Sequence, residues 1–289
     1  MRTAMFSVDS GFILCYDKRM NFADCQVIYM KAYLCPDAPI GVMDSGVGGL
    51  TVARRLRERM PGEDILYIGD SANCPYGNRS REEILSLAAD SVRRLEARGA
   101  KCIVVACNTI SATVEELRPM TGLPVISIVE SAAEAVVHVG LRSVAVAATE
   151  YTAKSGIYER CLRSLGSDCR VTARSSPTLA ALIDSGRFDG DEAEREIRRL
   201  TVGLDAEALI LGCTHYPLAE SCFRRCCELP LIDPAAAQAE RVLSYLRGSS
   251  LLADRERGRL SILCSAAPES YTLACRRLGL SADGGITVP

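Results

Sequence analysis

Along this 289-residue chain, short uncharged runs alternate with longer helical patterns from Ile40 onward, and that rhythm restricts the fold more than any other feature. The runs are Ile40-Gly-Val-Met43, Ile65-Leu-Tyr-Ile68, Cys102-Ile-Val-Val-Ala106, Pro124-Val-Ile-Ser-Ile128, Val144-Ala-Val-Ala147 and Ala208-Leu-Ile-Leu211. Each is strand-length and free of charge, as a strand covered on both faces must be. The clearest helical pattern starts at Ser80. Glu83 completes a capping box, residues 84, 85, 88, 92 and 95 make one apolar face, and Gly99 stops it. Strands alternating with helices predict an α/β fold on mainly parallel sheets.

A weak internal repeat is visible in the same pattern. Lys101 to Thr109 lies over Glu207 to His215 at an offset of 106, and the strand entering Asp44-Ser45 lies over the one entering Ala148-Thr149 at an offset of 105. Ile65 to Ser71 against Val171 to Pro177 gives 106 again. These pairs point to two similar α/β halves, although any two such halves share a strand-helix rhythm. In that arrangement Cys107 and Cys213 occupy equivalent places, each at the carboxyl end of a strand and before a helix. Open α/β sheets bind ligands at that edge, and a helix amino end favours a thiolate there.

The chain holds fourteen cysteines. It is large enough for an ample core and opens without a secretory pattern, which disfavours a disulfide scaffold. No C-x-x-C occurs, and only His138 and His215 could assist thiolates, which disfavours metal sites. Most of these cysteines are expected as buried thiols in a reducing cytoplasm. With 34 basic and 36 acidic side chains, no Trp and 5% aromatics, the chain lacks the charge excess and stacking platforms of a nucleic-acid binder. No apolar stretch is long enough to predict a membrane span.

Four segments carry candidate chemistry. Asp44-Ser-Gly-Val-Gly-Gly49 follows the first strand; its glycines are expected to free backbone N–H groups for an anion while Asp44 faces the crevice, the alternative being a plain glycine turn. Asn73-Cys-Pro-Tyr-Gly-Asn-Arg-Ser80 reads first as an ordinary loop. Ala106-Cys107-Asn-Thr109 places hydrogen-bonding side chains directly after a buried run. Gly212-Cys213-Thr-His-Tyr-Pro217 sets a histidine two residues past the matching cysteine. His138 falls within an amphipathic helix pattern and reads as structural. Cys222, Cys226 and Cys227 lack metal spacing and read as packing or surface thiols. The charge run Asp191 to Leu200 reads as a solvated helix face.

Together, Pro39 to Thr51, Asn73 to Ser80, Ala106 to Thr109 and Leu211 to Leu218 resemble the signature segments of the glutamate racemase family, in the family's order. The resemblance implies two doubly wound α/β domains related by a pseudo-two-fold axis, with the site in the cleft between them. It implies residues 39–131 plus 238–289 as the first domain, 132–237 as the second and 1–38 as an extension. It also implies interconversion of L- and D-glutamate without a cofactor or metal: Cys107 acts on D-glutamate assisted by Asp44, and Cys213 on L-glutamate assisted by His215. Ser45, Pro75, Tyr76, Gly77, Asn108, Thr109, Thr149 and Thr214, with Asp44 and His215, match positions that line the substrate.

Asp184-Ser-Gly186 is the nearest match to the family's Glu-x-Gly, with an acid one carbon shorter, and Met43 replaces the usual phenylalanine. The family further implies a cytoplasmic enzyme of peptidoglycan synthesis, often dimeric. The lead before Ala38 then stands either as a regulatory extension answering to a peptidoglycan precursor or as a start misplaced ahead of Met30. The alternatives are a racemase of aspartate or another amino acid, and a catalytically silent homologue that binds a partner.

Overall fold

The computed structural model describes residues 35–288, together with the backbone of an antiparallel strand pair, Ala4–Val8 and Gly11–Cys15. The rest of the expected 1–38 extension lies outside the described residues, apart from its last few positions. Ten strands follow: β1 (Ile40–Asp44), β2 (Ile65–Gly69), β3 (Cys102–Val105), β4 (Val125–Ser127), β5 (Ser143–Ala148), β6 (Arg170–Ser175), β7 (Ala208–Gly212), β8 (Leu231–Ile232), β9 (Leu260–Cys264) and β10 (Ile286–Thr287). All the uncharged runs picked out from the sequence lie in this series.

Two parallel sheets result. The first has the order β10-β9-β2-β1-β3-β4 and the second β8-β7-β5-β6. Four strands of each share one connectivity, β2-β1-β3-β4 and β6-β5-β7-β8, so the offset near 106 marks the same topology used twice. β1, β2, β3 and β7 are buried along their whole length, as their lack of charge requires. β6 is an edge strand with exposed ends, which is why its sequence reads less clearly.

Helix Arg81–Glu96 begins at the predicted box. Ser80 Oγ accepts from Glu83 N at 3.2 Å, and Ser80 N donates to Glu83 Oε2 at 2.9 Å. Ile84, Ala88, Val92 and Leu95 are buried against the sheet, and Gly99 takes the positive φ of 74° that ends the segment.

The chain passes between the sheets twice. Helix Ile128–Val139 leads from β4 to β5, and helix Pro234–Gly248 returns from β8 to β9; the two pack side by side. Glu130 on the first accepts from Arg241 on the second at 3.1 Å, and Gln238, fully buried, donates to the carbonyls of Val105 and Ile126 at 2.9 Å each. The boundaries expected at 131/132 and 237/238 therefore fall inside helices. Both are shared spacers, and one hydrophobic core runs through them from Val42 and Val104 to Val146 and Ile210.

Candidate active site

Strand ends explain where the side chains meet. In the order β2-β1-β3-β4 the connections leave β1 and β3 in opposite directions, which opens a crevice at their carboxyl ends; β5 and β7 do the same in the second sheet. Ser45, Pro75, Tyr76, Gly77, Cys107, Asn108, Thr109, Thr149, Asp184, Cys213, Thr214 and His215, all singled out from sequence, line one cavity of about 250 Å³ there. His138 is exposed in the last turn of its helix and has no part in it.

Asp44 departs from its expected place. It is buried behind the glycine loop and does not line the cavity. Its Oδ1 accepts the Gly46 N–H at 2.9 Å and its Oδ2 the Thr214 hydroxyl at 3.2 Å, so an N–H expected for an anion is already spent on this carboxylate. Burial pushes the Asp44 carboxyl up, against the charge of His215 and the Gly46, Gly49 and Thr214 donors.

The glycines serve close approach instead. A Cβ on Gly48 would stand 2.5 Å from Thr214 Oγ1 and 2.7 Å from His215 Nδ1, and one on Gly49 would stand 2.6 Å from Asp44 Cβ. The loop of the first half can thus seat directly on the loop of the second.

The two thiols have different company. Cys107, 5% exposed, stands before the turn Asn108–Ser111, with Ser45 Oγ 3.5 Å from its sulfur. Burial, and then the negative field of Asp44, push it up to about 12, against the Ser45 hydroxyl and the Ile110 N–H. No described hydrogen bond joins it to Asp44.

Cys213, 6% exposed, has His215 Nδ1 at 3.7 Å, and His215 Nε2 is 3.7 Å from Asp184 Oδ1. Burial opposes a charge on His215, but the Asp184 carboxylate and the Cys213 sulfur outweigh it and hold the imidazole up at about 10. The nearby His215 imidazole in turn holds Asp184 below the usual carboxylate range. Both neighbours thus favour the protonated imidazole, and among the described residues the cavity lining holds no Lys or Arg beside it.

Neutral donors supply the rest of the wall. Tyr158 Oη donates to Asn108 Oδ1 at 2.7 Å, which fixes the amide and leaves its Nδ2 buried without a partner among the described residues. Such a donor costs roughly 1–3 kcal/mol unless a ligand accepts from it. Thr109, Thr149 and Thr152 link their hydroxyls at 3.0–3.3 Å, and Thr149 caps helix Glu150–Ser155.

The loop bearing Pro75, Tyr76 and Gly77 is held by Asp70, whose carboxylate accepts from Asn73 Nδ2 at 3.0 and 3.1 Å, Tyr76 Oη at 2.7 Å and Ser265 Oγ at 2.7 Å. Sequence reasoning missed this anchor and several wall residues: Ser71 and Cys74, Ala180 and Ala181 before Asp184, and Ala267 and Ser270 beside the C-terminal helix Pro268–Leu278. Cys74 carried a signal in its loop but was assigned to packing; burial pushes its thiol up to about 12. Nothing in the sequence marks Ala267 or Ser270.

A second cluster lies outside the cavity. Cys222 and Cys226, read as lacking metal spacing, stand one turn apart on helix Glu220–Cys226. Their sulfurs and a Glu194 carboxylate oxygen all lie within 4.8 Å of one another.

Comparison with known proteins agrees with this architecture. A family model described as Asp/Glu/Hydantoin racemase matches residues 40–242. The glutamate racemase of Thermus thermophilus is 38% identical over 248 residues, which is 84% of this chain and 93% of the relative. Among solved structures, the glutamate racemase isoform RacE1 from Bacillus anthracis superposes with a TM-score of 0.82 at 33% identity, covering 87% of this chain and 97% of that one. Glutamate racemase from Thermus thermophilus in complex with beta-chloro-D-alanine does so with a TM-score of 0.79 at 36% identity, covering 88% and 97%.

Proposed function

The chain belongs to the Asp/Glu/hydantoin racemase family, and on that premise we propose that it interconverts L- and D-glutamate with two thiols as the proton-transferring groups. The observation that carries the reading is the pairing of Cys107 and Cys213, brought from equivalent strand ends of two sheets to one cavity. At about 250 Å³ that cavity is smaller than the roughly 300–1,000 Å³ of sites that take drug-sized ligands, and suits an amino acid.

The chemistry follows from the walls. Cys213 takes the α-proton of L-glutamate while the Cys107 thiol delivers one to the opposite face; D-glutamate reverses the roles. His215 keeps a proton beside the Cys213 sulfur, and the Ser45 hydroxyl faces that of Cys107. An α-proton is a weak acid, so negative charge developing toward the α-carboxylate needs donors already in place. Asn108 Nδ2 is such a donor, fixed by Tyr158 and unpaired. Thr109 and Thr149 bring hydroxyls from both halves to the same wall, while the Thr214 hydroxyl is held by Asp44. Two thiols account for both proton transfers, so this reading requires no cofactor. In a cell the product would supply D-glutamate for peptidoglycan.

The test is incubation of the purified protein with each enantiomer of glutamate and of aspartate in deuterated water, without pyridoxal phosphate. Inversion and α-deuteration of glutamate are expected. Exchange of neither amino acid would sink the racemase reading, and inversion of aspartate alone would move the substrate.

A further inference from the structure

We propose that Cys222, Cys226 and Glu194 form a binding site for a thiophilic divalent cation of the zinc type, on the outer side of the second half. Residues four apart on a helix share one face, and here that face turns its two sulfurs toward Glu194 on the neighbouring helix Asp191–Thr201. One ligand atom from each residue lies within 4.8 Å of the other two, close enough for a small inward adjustment to bring all three onto one ion. Two sulfurs and a carboxylate oxygen are a donor set that favours zinc over magnesium or calcium, and water can complete the four-coordinate shell.

The surroundings support a built site. Cys222 is fully buried, while Cys226 and Glu194 are half-buried and leave an approach from solvent. Arg225 Nε donates to Glu194 Oε1 at 3.1 Å, the kind of outer hydrogen bond that orients a ligating carboxylate. Arg198 stands 3.8 Å from Oε2 on an exposed side chain free to turn aside. Thr201 Oγ1 already donates to the Cys226 carbonyl at 3.3 Å, so the two helices are in register before any ion arrives.

Binding exchanges one proton from each thiol for a metal–sulfur bond, releasing two protons per ion to solvent with no change of oxidation state. Because both thiols must give up a proton, occupancy should increase with pH. The ion would pin helix Glu220–Cys226, whose Phe223 ring packs 5.5 Å from Tyr216, three residues past Cys213.

The experiment uses the full, reduced chain carrying Cys107→Ser and Cys213→Ser, so that the cavity thiols cannot contribute. Cobalt(II) is the probe and zinc(II) the competitor. One equivalent of cobalt with tetrahedral, thiolate-to-metal absorption is expected, displaced by zinc, with two protons released. Adding Cys222→Ser and Cys226→Ser should abolish the signal, and Glu194→Gln should weaken binding about tenfold or more. No such absorption, or absorption unchanged by the serine pair, would overturn the proposal. Should the serine variants fail to fold, alkylation of the unsubstituted chain mapped by mass spectrometry decides. Zinc should protect half-buried Cys226 but not half-buried Cys161, and equal labelling of Cys226 with and without zinc rejects the site.

Discussion

Four strands in the same order, β2-β1-β3-β4 in the first half and β6-β5-β7-β8 in the second, end on two thiols whose surroundings are unlike. Cys107 meets a hydroxyl and the field of a buried carboxylate; Cys213 meets an imidazole backed by Asp184. The backbone scaffold is repeated and the electrostatics are not. That difference suits a reaction whose two ends are mirror images. L- and D-glutamate are equally stable in water, but each presents its α-proton to a different wall, so the walls can be tuned separately while the overall equilibrium stays at one.

The sharpest way to break the comparison is to remove one thiol at a time. Cys107→Ser and Cys213→Ser should each lower kcat/KM by roughly 10²–10⁴-fold. The loss must be equal in both directions, because the enantiomers have equal free energies. The asymmetry should survive in deuterium exchange: with Cys107 gone, residual α-exchange is confined to L-glutamate, and with Cys213 gone, to D-glutamate. Exchange from the same enantiomer in both variants would refute two separate bases.

Next in size is Gly48→Ala. Its Cβ would press on Thr214 and His215, both on the Cys213 side, and a displacement approaching 1 Å costs on the order of 10²-fold. The kinetic loss should come with a changed His215 imidazole signal while the fold is kept, and wild-type kinetics would show that the loops do not need their close seating.

The smallest effect isolates electrostatics. Asp184→Asn should bring the His215 titration down from about 10 toward its ordinary range, read by imidazole NMR, with His138 the second histidine in the spectrum. The sign for stability follows. A raised folded-state value gives stabilisation present in full below about 6.5 and lost as pH climbs through about 10. The Asn variant should lose part of that slope in unfolding midpoints measured across the window. An unchanged titration would remove Asp184 from the Cys213 side.

How much was legible in the sequence depended on the distance over which each feature is encoded. Uncharged strand runs and the Ser80–Glu83 box are local, and each is found where its spacing predicted. The cavity's central residues were legible because they follow directly on strands. Asp44 was misplaced because its acceptors are filled by Gly46 and by Thr214, 170 positions away. Asp70 was overlooked for the same reason, since its Ser265 partner is 195 residues off and only the added strand β9 brings it near. The domain boundaries missed the two helices because an amphipathic pattern states which face is buried and not which sheet it is buried against. Cys222 and Cys226 carried a helical spacing, but Glu194 comes from another helix.

The paired helices Ile128–Val139 and Pro234–Gly248 impose a mechanical restriction. A half joined by one linker could spin as well as tilt; one joined by two parallel connections, clamped by Glu130 and Arg241, has lost the spin. The two thiol-bearing walls are thereby held in one register by the covalent path as well as by the shared core. A single proteolytic cut near exposed Gly140 would leave the halves fastened, since the second connection still spans them. The handedness of the site is thus protected by the way the chain is laced, before any side chain is considered.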